Sequence, residues 1–347
     1  MAIEKWLITP GQTKVIDLEL VRSLKIGLIG GRVNVIAHDE PGARVEVTSV
    51  TGKDLKIEID GDKLIVDHPQ IRWDNWIDMF SGFRGSAKAE VSILAPRDVA
   101  IKLGVVSADA LVSGFTSDAR LNAVSGDIIV DGVTGDLDLN TVSGELSAGN
   151  HTGRITANTV SGAITASGSI TKFRADGVSG SMVVDSTTTP YEIVTNTVTG
   201  NLTARVLMGN GAKYRINTVS GAIQLDDVTV KGTLGKGFER HVGTLDGTWL
   251  DLQANSVSGD IAVVARRTEG EQPVSGDGSA SADAPTPTDA PASSDAPASD
   301  SAPTDAPASD SSAPTDAPAS DSSAPTDAPA SDSPVDAATD TGTEGRE

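Results

Sequence analysis

The sequence contains no cysteine, and its aromatic residues number only four tryptophans, two tyrosines and five phenylalanines among 347 residues. The absence of cysteine excludes disulfide frameworks, thiolate zinc sites and cysteine nucleophiles. The four histidines (His38, His68, His151 and His241) are far apart, none has a partner at metal-ligand spacing, and we expect all four at surface or corner positions. We therefore predict no catalytic residue, no metal site and no cofactor.

Long apolar runs are also missing. No stretch approaches the roughly 20 apolar residues that span a bilayer. The first residues, "MAIEKWLITPGQTKVIDL", lack the apolar segment of a signal peptide. The sequence therefore predicts a cytoplasmic protein without membrane insertion, and a cell-surface location is the alternative.

Basic residues are few, and the net charge of the whole chain is −21. Much of this charge lies from Thr268 onward, where 17 acidic residues accompany one basic residue, Arg346. No part of the sequence has the basic stripe that phosphate backbones attract. We therefore predict that the protein does not bind nucleic acid.

Residues 268–347 differ from the rest in composition. From about Gly276 the segment "APTDAPASDSS" recurs with an 11-residue period, and no apolar side chain there is larger than that of Val335. Such a segment buries too little surface to offset the entropy of ordering. We predict a disordered acidic tail.

Residues 104–267 carry a short internal repeat built on the motif V-[ST]-G. The glycines of its copies are Gly126, Gly144, Gly162, Gly180, Gly200, Gly221 and Gly259. The steps from one glycine to the next are 18, 18, 18, 20, 21 and 38, and the last step suggests one diverged copy between. Ala108 occupies the same slot one period before Gly126. A fixed short period is typical of a solenoid, in which each repeat packs on its neighbours.

Each repeat divides into two nine-residue halves in which apolar residues alternate before a glycine, which is the pattern of a short strand and a corner. We therefore predict an all-β fold: a parallel, two-sided β-solenoid of 18-residue coils. One predicted inner column is Ile128, Leu146, Ile164, Met182, Leu202, Ile223 and Ile261. The second predicted inner column is Val124, Val142, Val160, Val178, Val198, Val219 and Val257.

A polar residue stands four positions before each motif glycine. These residues are Asn122, Asn140, Asn158, Asp176, Asn196, Asn217 and Asn255. Stacked amides bond to one another along a column and satisfy backbone groups at a corner. We predict a structural ladder, and a polar binding row is the alternative interpretation.

Residues 1–103 alternate in the same β manner without the 18-residue period, and we predict a β-rich N-terminal cap. "DLKIEIDGDKLIVDH" predicts a hairpin that turns at Asp60–Gly61, and "GRVNVIAHDEPGARVEVTSV" repeats this pattern around Pro41–Gly42. A cap protects the open edge of a β-stack from aggregation.

One stretch breaks the β pattern. Trp73, Trp76, Ile77 and Phe80 are spaced to share one face of a short helix near residues 72–81. This face is either a plug over the stack or a docking surface for a partner protein.

Residues 232–247 interrupt the repeat, and we predict a protruding loop there. Outward carboxylates such as Asp118, Asp136 and Asp138 alternate with basic residues one repeat away, which indicates a solvated face rather than a catalytic cluster. Arg154 in such a column is also incompatible with a ladder of calcium ions.

The "TVSG[DE][IL]" repeat, preceded by "AEVSILAPRDVAIKLGVVSADA", resembles the DUF4097 family of bacterial β-strand-repeat proteins, in particular its actinobacterial members. The resemblance covers residues 1–267, and the family is described as one of candidate adhesins. It implies a β-repeat fold and no catalytic residues.

Together these features predict a non-enzymatic structural or interaction scaffold whose partner is a protein. An exported cell-surface adhesin is the first alternative. A carbohydrate-binding or carbohydrate-cleaving β-helix is the second, although no residue pattern supports it directly.

Overall fold

The computed structural model describes residues 3–69, 87–226, 228–231 and 237–266, and every regular element in these ranges is a β-strand. All of them belong to one compact unit, Met1–Ser275; the remainder of the chain, Gly276–Glu347, lies outside the described residues. The fold is therefore all-β, as the alternating pattern predicts.

The strands before the repeats are β1 (Ile3–Ile8), β2 (Lys14–Leu18), β3 (Ser23–His38), β4 (Ala43–Thr51), β5 (Leu55–Asp60), β6 (Lys63–Asp67), β7 (Lys88–Pro96) and β8 (Ala100–Ser113). The strands up to the fourth repeat are β9 (Ala119–Ser125), β10 (Ile128–Asp131), β11 (Thr134–Ser143), β12 (Leu146–Ser161), β13 (Ile164–Ser179), β14 (Met182–Ser186), β15 (Glu192–Thr199) and β16 (Leu202–Leu207). The last strands are β17 (Gly211–Ser220), β18 (Ala222–Leu225), β19 (Val228–Lys231), β20 (Phe238–Gly243), β21 (Trp249–Ser258) and β22 (Ile261–Arg266).

The repeats pair in parallel, and the 18-residue period appears directly in the register. Ile128 lies beside Leu146, and Leu146 lies beside Ile164. On the other half of each repeat, Leu139 pairs with Ala157 at the same offset. Chain segments one period apart therefore lie side by side, like against like. We call each such segment a unit.

The core contains the first predicted column but not the second. Residues from Ile128 to Ile261 in the first column are at most 2% exposed. The valine column is exposed instead: Val160 is 49% exposed and Val219 is 54% exposed. The prediction of an inner valine column is wrong, because residues two apart in a strand share a face and each valine follows a ladder residue by two. The residue between them points inward, as buried Thr141 does.

The motif glycines are required by close approach at the corner. Gly144 has φ +123°, and a Cβ there would lie 2.2 Å from the carbonyl oxygen of Gly126. Gly31 occupies the same slot: it has φ +105°, and it pairs with Ala108 in the next unit. The repeat therefore begins earlier than its sequence motif shows.

The N-terminal strands continue the parallel stack and then change direction. Strand β3 pairs in parallel with β8 on one side and with β6 and β7 on the other. Antiparallel strands follow, with β5 and β1 beyond β6 and with β4 and β2 beyond β7.

The hairpin of β5 and β6 is confirmed, with Leu55, Ile57 and Leu64 buried. The second predicted hairpin is wrong, because β3 and β4 do not pair with each other. Both pair with β7, which lies between them. Turn chemistry at Pro41–Gly42 reverses the chain, but the partner of each strand is decided by a segment distant in sequence.

The C-terminal strands depart from chain order. Strand β21 pairs in parallel with β15 on one side and with β17 on the other, and β22 lies likewise between β16 and β18. The last unit in sequence is therefore inserted between the two units that precede it.

Between β18 and β21 the described residues form two strands, β19 and β20, which pair antiparallel with β18 and β17. These described residues form no parallel unit, so the expected diverged copy is not found among them. The predicted protruding loop is thus in part an edge strand.

Candidate functional site

The aromatic docking face predicted at Trp73, Trp76, Ile77 and Phe80, with its helix near 72–81, lies outside the described residues. The surface of the described residues offers a different candidate. It lies along the outer side of the repeats, where the ladder asparagines and the exposed valines run in parallel.

The ladder residues stack in register and bond to one another through their side chains. The order in space is Asn122, Asn140, Asn158, Asp176, Asn196, Asn255 and Asn217, because the last unit is inserted. Five hydrogen bonds of 2.6 to 3.1 Å run between neighbours in this column. All five have the same direction: the Nδ2 group of each asparagine donates to the side-chain oxygen of the preceding residue in space.

Asp176 interrupts this pattern. It accepts a hydrogen bond of 2.6 Å from Asn196, but an ionised carboxylate has no proton to donate onward to Asn158. The Nδ2 group of Asn158 is used on Asn140 at 2.7 Å. The run of side-chain hydrogen bonds along the ladder is therefore broken between Asn158 and Asp176.

The valines form an apolar column two residues along from the ladder. Val160, Val178, Val198, Val257 and Val219 are between 45% and 54% exposed, and Val124 and Val142 are half-buried. With one valine per unit and strands about 4.8 Å apart, the column is about 29 Å long. An apolar surface this long and regular is unusual on a solvated face.

The surface between the two columns is indented at Asp176 and Gly177. A depression of about 310 Å³ lies there, lined by Asn158, Thr159, Asp176, Gly177, Val178, Asn196, Thr197 and Val198. Gly177 takes the position that threonine has in both neighbouring units. The hydroxyls of Thr159 and Thr197 are buried and have no hydrogen-bond partner among the described residues. Thr159 as a whole is only 6% exposed.

Carboxylates beside the corners are used by the backbone. Asp118 accepts from the amide of Asp136 at 2.8 Å, and Asp127 accepts from the amide of Glu145 at 2.8 Å. Asp260 does the same for Ala222 at 2.7 Å. These acids hold adjacent units together, because each pairs an amide that the corner leaves without a strand partner.

Ion pairs bridge neighbouring units on the outer faces. Arg120 lies 2.8 Å from Asp138, and Arg154 lies 3.2 Å from Asp136. Hydrogen bonds from Arg205, and then from Arg266, hold the pKa of Asp185 below its ordinary value against the effect of burial. Such pairs contribute little each because they are solvated.

Two of the four histidines are buried, although the sequence indicated surface or corner positions for all of them. His68 and His151 are fully buried. The Nδ1 atom of His68 accepts the Ile29 amide at 3.2 Å, and burial lowers the pKa of His68 to about 4. Burial also lowers the pKa of His151, against the opposing effect of backbone hydrogen bonds such as that to Arg154. Both rings are therefore neutral in the folded protein at neutral pH.

Within the described ranges, no group of three or more acidic or histidine side chains is arranged to hold a metal ion. The same ranges contain no helix long and apolar enough to cross a bilayer.

Sequence reasoning found the ladder positions but missed the surface beside them. The period-2 rule applied to Asn158 and Val160 would have placed both on one face. The pair Asp176–Gly177 was also visible as a double departure from "NT" in one repeat. What the sequence did not show is that both residues line one depression, and that the threonine position at Gly177 is filled by Met182.

No protein-family model matches the chain, and no curated protein is significantly similar to it. Among solved structures, a candidate cell-adhesion protein from Clostridium sporogenes shares 11% identity over 76% of this chain and 100% of its own, with a TM-score of 0.28. A candidate adhesin from Bacteroides fragilis shares 9% identity over 73% of this chain and 98% of its own (TM-score 0.35). A candidate lipid-binding protein from Parabacteroides distasonis shares 9% identity over 74% and 98% (TM-score 0.42).

Proposed function

We propose that this chain is a non-enzymatic binding scaffold, built as a two-sided β-solenoid of 18-residue coils, that presents its ladder-and-valine groove to a partner protein. The TVSG repeat also leads us to group it with the DUF4097 repeat proteins. The role of the stack is to hold identical side chains at a constant spacing along one face.

The exposed valine column is the observation that supports this proposal. Each valine could be polar at no cost to the core, because its side chain does not enter it. Contiguous exposed apolar surface is a liability for a soluble protein and commonly marks a site that a partner covers. The adjacent ladder supplies the polar rim that interfaces usually have.

The polar groups of the same face argue for binding rather than catalysis. The corner acids are hydrogen-bonded to backbone amides, and other outer acids such as Asp136 and Asp138 are paired with arginines of neighbouring units. A general acid or base must be able to exchange a proton with a substrate. Groups that hold the stack together are poorly suited to that task.

A triple variant, Val160→Thr, Val178→Thr and Val198→Thr, tests the proposal. Threonine keeps the shape and β-propensity of valine but makes the column polar. Partners captured by the wild-type chain are first identified by mass spectrometry, and binding of the purified partner is then measured by calorimetry. We expect the triple variant to bind about tenfold more weakly or worse, since buried interface side chains dominate affinity.

The matched control carries the same change at Val183, Val228 and Val264, which are between 38% and 41% exposed but lie outside the column. The control should bind as the wild type does. Equal binding by all three proteins would contradict the proposal. So would a chain that binds only glycans on an array, because that result favours the carbohydrate interpretation.

A further inference from the structure

The valine column repeats one side chain at a constant spacing along the outer face of the stack. We infer that the partner covering this column is a second copy of the chain, packed face to face and antiparallel. The inference rests on the proposed binding function and specifies the partner. The order of the valines in space follows the register of the strands and is Val124, Val142, Val160, Val178, Val198, Val257 and Val219.

A column with a constant spacing is complementary to an identical column. Strands about 4.8 Å apart place successive valines at that interval, so an offset of about 2.4 Å lets each valine fit between two valines of the other copy. A different protein matches this surface only if its own side chains recur at the same interval. Valine is also restricted at χ1, so that holding its side chain in a contact costs little entropy.

The face that carries the ladder and the valines is almost uncharged, although the net charge of the chain is −21. Among the seven ladder residues and the seven valines only Asp176 is charged, and Arg174 lies 3.6 Å from its carboxylate. The outward column two residues before the ladder carries charges such as Arg120 and Asp138. Like charges that meet across an interface are strongly unfavourable, and this face avoids them almost entirely. A basic partner would be matched by several acids, and the face has one.

Symmetry decides the direction of the second copy. A two-fold axis parallel to the stacking direction would place equal units at the same height, so that valines meet head to head. A two-fold axis parallel to the strands reverses the stacking direction of one copy and allows the offset of half a spacing. With full overlap, Val178 lies near the axis, and Val124 lies opposite Val219 of the second copy. Asp176 also lies near the axis, where each copy keeps its own Arg174 as counterion.

The size of the face predicts a weak contact. Seven strands about 4.8 Å apart and two columns about 7 Å apart, with side-chain radii added, give a plane of about 30 by 14 Å on each copy. Because interdigitating side chains expose more area than their plane, the two copies together bury roughly 1,000 Å², which is at the low end for specific interfaces. We therefore expect a dimer that forms at about 100 μM protein.

Sedimentation equilibrium of the full chain between about 10 and 500 μM measures this association. We expect the triple variant Val160→Thr, Val178→Thr and Val198→Thr to associate at least tenfold more weakly than the wild type, since hydroxyls would be buried in an apolar contact. The matched control carries the same change at three valines outside the column, and it should associate as the wild type does. These valines are Val183, Val228 and Val264.

The absence of cysteine allows a direct test of the arrangement. Val178→Cys, near the axis, should form a covalent dimer under mild oxidation. Val124→Cys alone should not, because its two copies would lie about 29 Å apart, whereas a mixture with Val219→Cys should form the mixed dimer. Val183→Cys, which is exposed outside the column, gives the level of random cross-linking.

A wild-type chain that stays monomeric at 500 μM would overturn the inference, and so would a triple variant that dimerises as tightly as the wild type. Self-cross-linking of Val124→Cys as efficient as that of Val178→Cys would overturn the antiparallel arrangement. If the chain is monomeric while the triple variant still loses a captured partner of different sequence, the proposed function stands and only the identity of the partner is wrong.

Discussion

At the scale of the residue, the repeat depends on corner positions that have no room for a Cβ atom. Gly144 sits against the carbonyl of Gly126, and the same contact recurs at Gly162 against Gly144. In the rest of the motif, side chains alternate between the two faces of the strand. The asparagine and the valine point outward, and the threonine between them points inward. A single motif, N-T-V-S-G, therefore encodes a corner, a ladder and an exposed column at once.

We predict that Gly144→Ala destabilises the protein by more than about 3 kcal/mol, because its φ of +123° is unfavourable for alanine and the added Cβ meets a carbonyl oxygen at 2.2 Å. Chemical denaturation measures the change. The control is Gly132→Ala, where φ is +62° and the nearest atom is 4.0 Å away, and its cost should be about 1 kcal/mol. Equal costs at the two positions would show that close approach is not the constraint.

Buried His68 predicts an acid-sensitive fold. Because its folded pKa of about 4 lies below its ordinary value of 6.5, the stabilisation is complete above pH 6.5 and is lost as the pH falls toward 4. The full loss is about 3 to 4 kcal/mol from this residue, and about 2 kcal/mol of it falls between pH 7.5 and pH 5. Urea unfolding at pH 7.5 and pH 5 measures it.

In His68→Gln the dependence on pH should be weaker, with the remainder due in part to His151. The control is Val183→Thr, an exposed substitution that changes no titratable group, and it should keep the wild-type slope. Asp67, whose pKa is raised chiefly by burial, acts in the opposite sense. A His68→Gln variant with the wild-type slope would contradict the prediction.

At the scale of the element, the order of strands in space differs from their order in the chain. The unit formed by β21 and β22 is paired on both sides, whereas β20 pairs on one side with β17 among the described strands. Insertion gives the last unit two neighbours and leaves the preceding unit next to an antiparallel edge. Strand β20 is largely exposed and covers that edge.

Amide hydrogen exchange should therefore follow the order of the strands in space and not their order in the chain. We predict that amides of Trp249–Ser258 exchange more slowly than those of Phe238–Gly243, although they lie nearer the C-terminus. Mass spectrometry of peptic peptides measures both segments in one experiment. Faster exchange in Trp249–Ser258 would mean that the last unit frays and is not held between its neighbours.

At the scale of the whole molecule, stability comes from a core shared between neighbouring units rather than from one centre. The buried column from Ile128 to Ile261 and its counterparts in β3 and β8 form one continuous apolar cluster. The composition of residues 268–347 adds no large apolar side chains to this core.

We predict that a chain ending at Arg267 unfolds at the same temperature as the full chain, within about 1 °C, since the removed residues have almost no apolar surface to bury. Differential scanning calorimetry compares the two proteins. Arg266 is kept because it pairs with Asp185. A clear drop in the midpoint would show that the acidic segment packs against the rest.

Much of the fold was predictable because the same short sequence pattern adopts the same local structure in every unit. The period, the first inner column and the β5–β6 hairpin follow from spacing and alternation alone. The partner of β4 and the position of β21 did not follow, because pairing between distant segments depends on which edges remain open after the others have formed. Of the candidate site, the sequence located the ladder but not the exposure of the valines.

The amino-acid sequence by itself determined that units one period apart stack like on like, because the same glycine and the same apolar pattern recur at a short fixed interval and give neighbouring units matching faces. The tertiary structure alone decided that the final unit enters between two earlier ones and that the ladder side chains and the valines share one outer face. These two features depend on contacts between residues that are distant in the sequence. Such contacts contribute to stability only after the units have packed together.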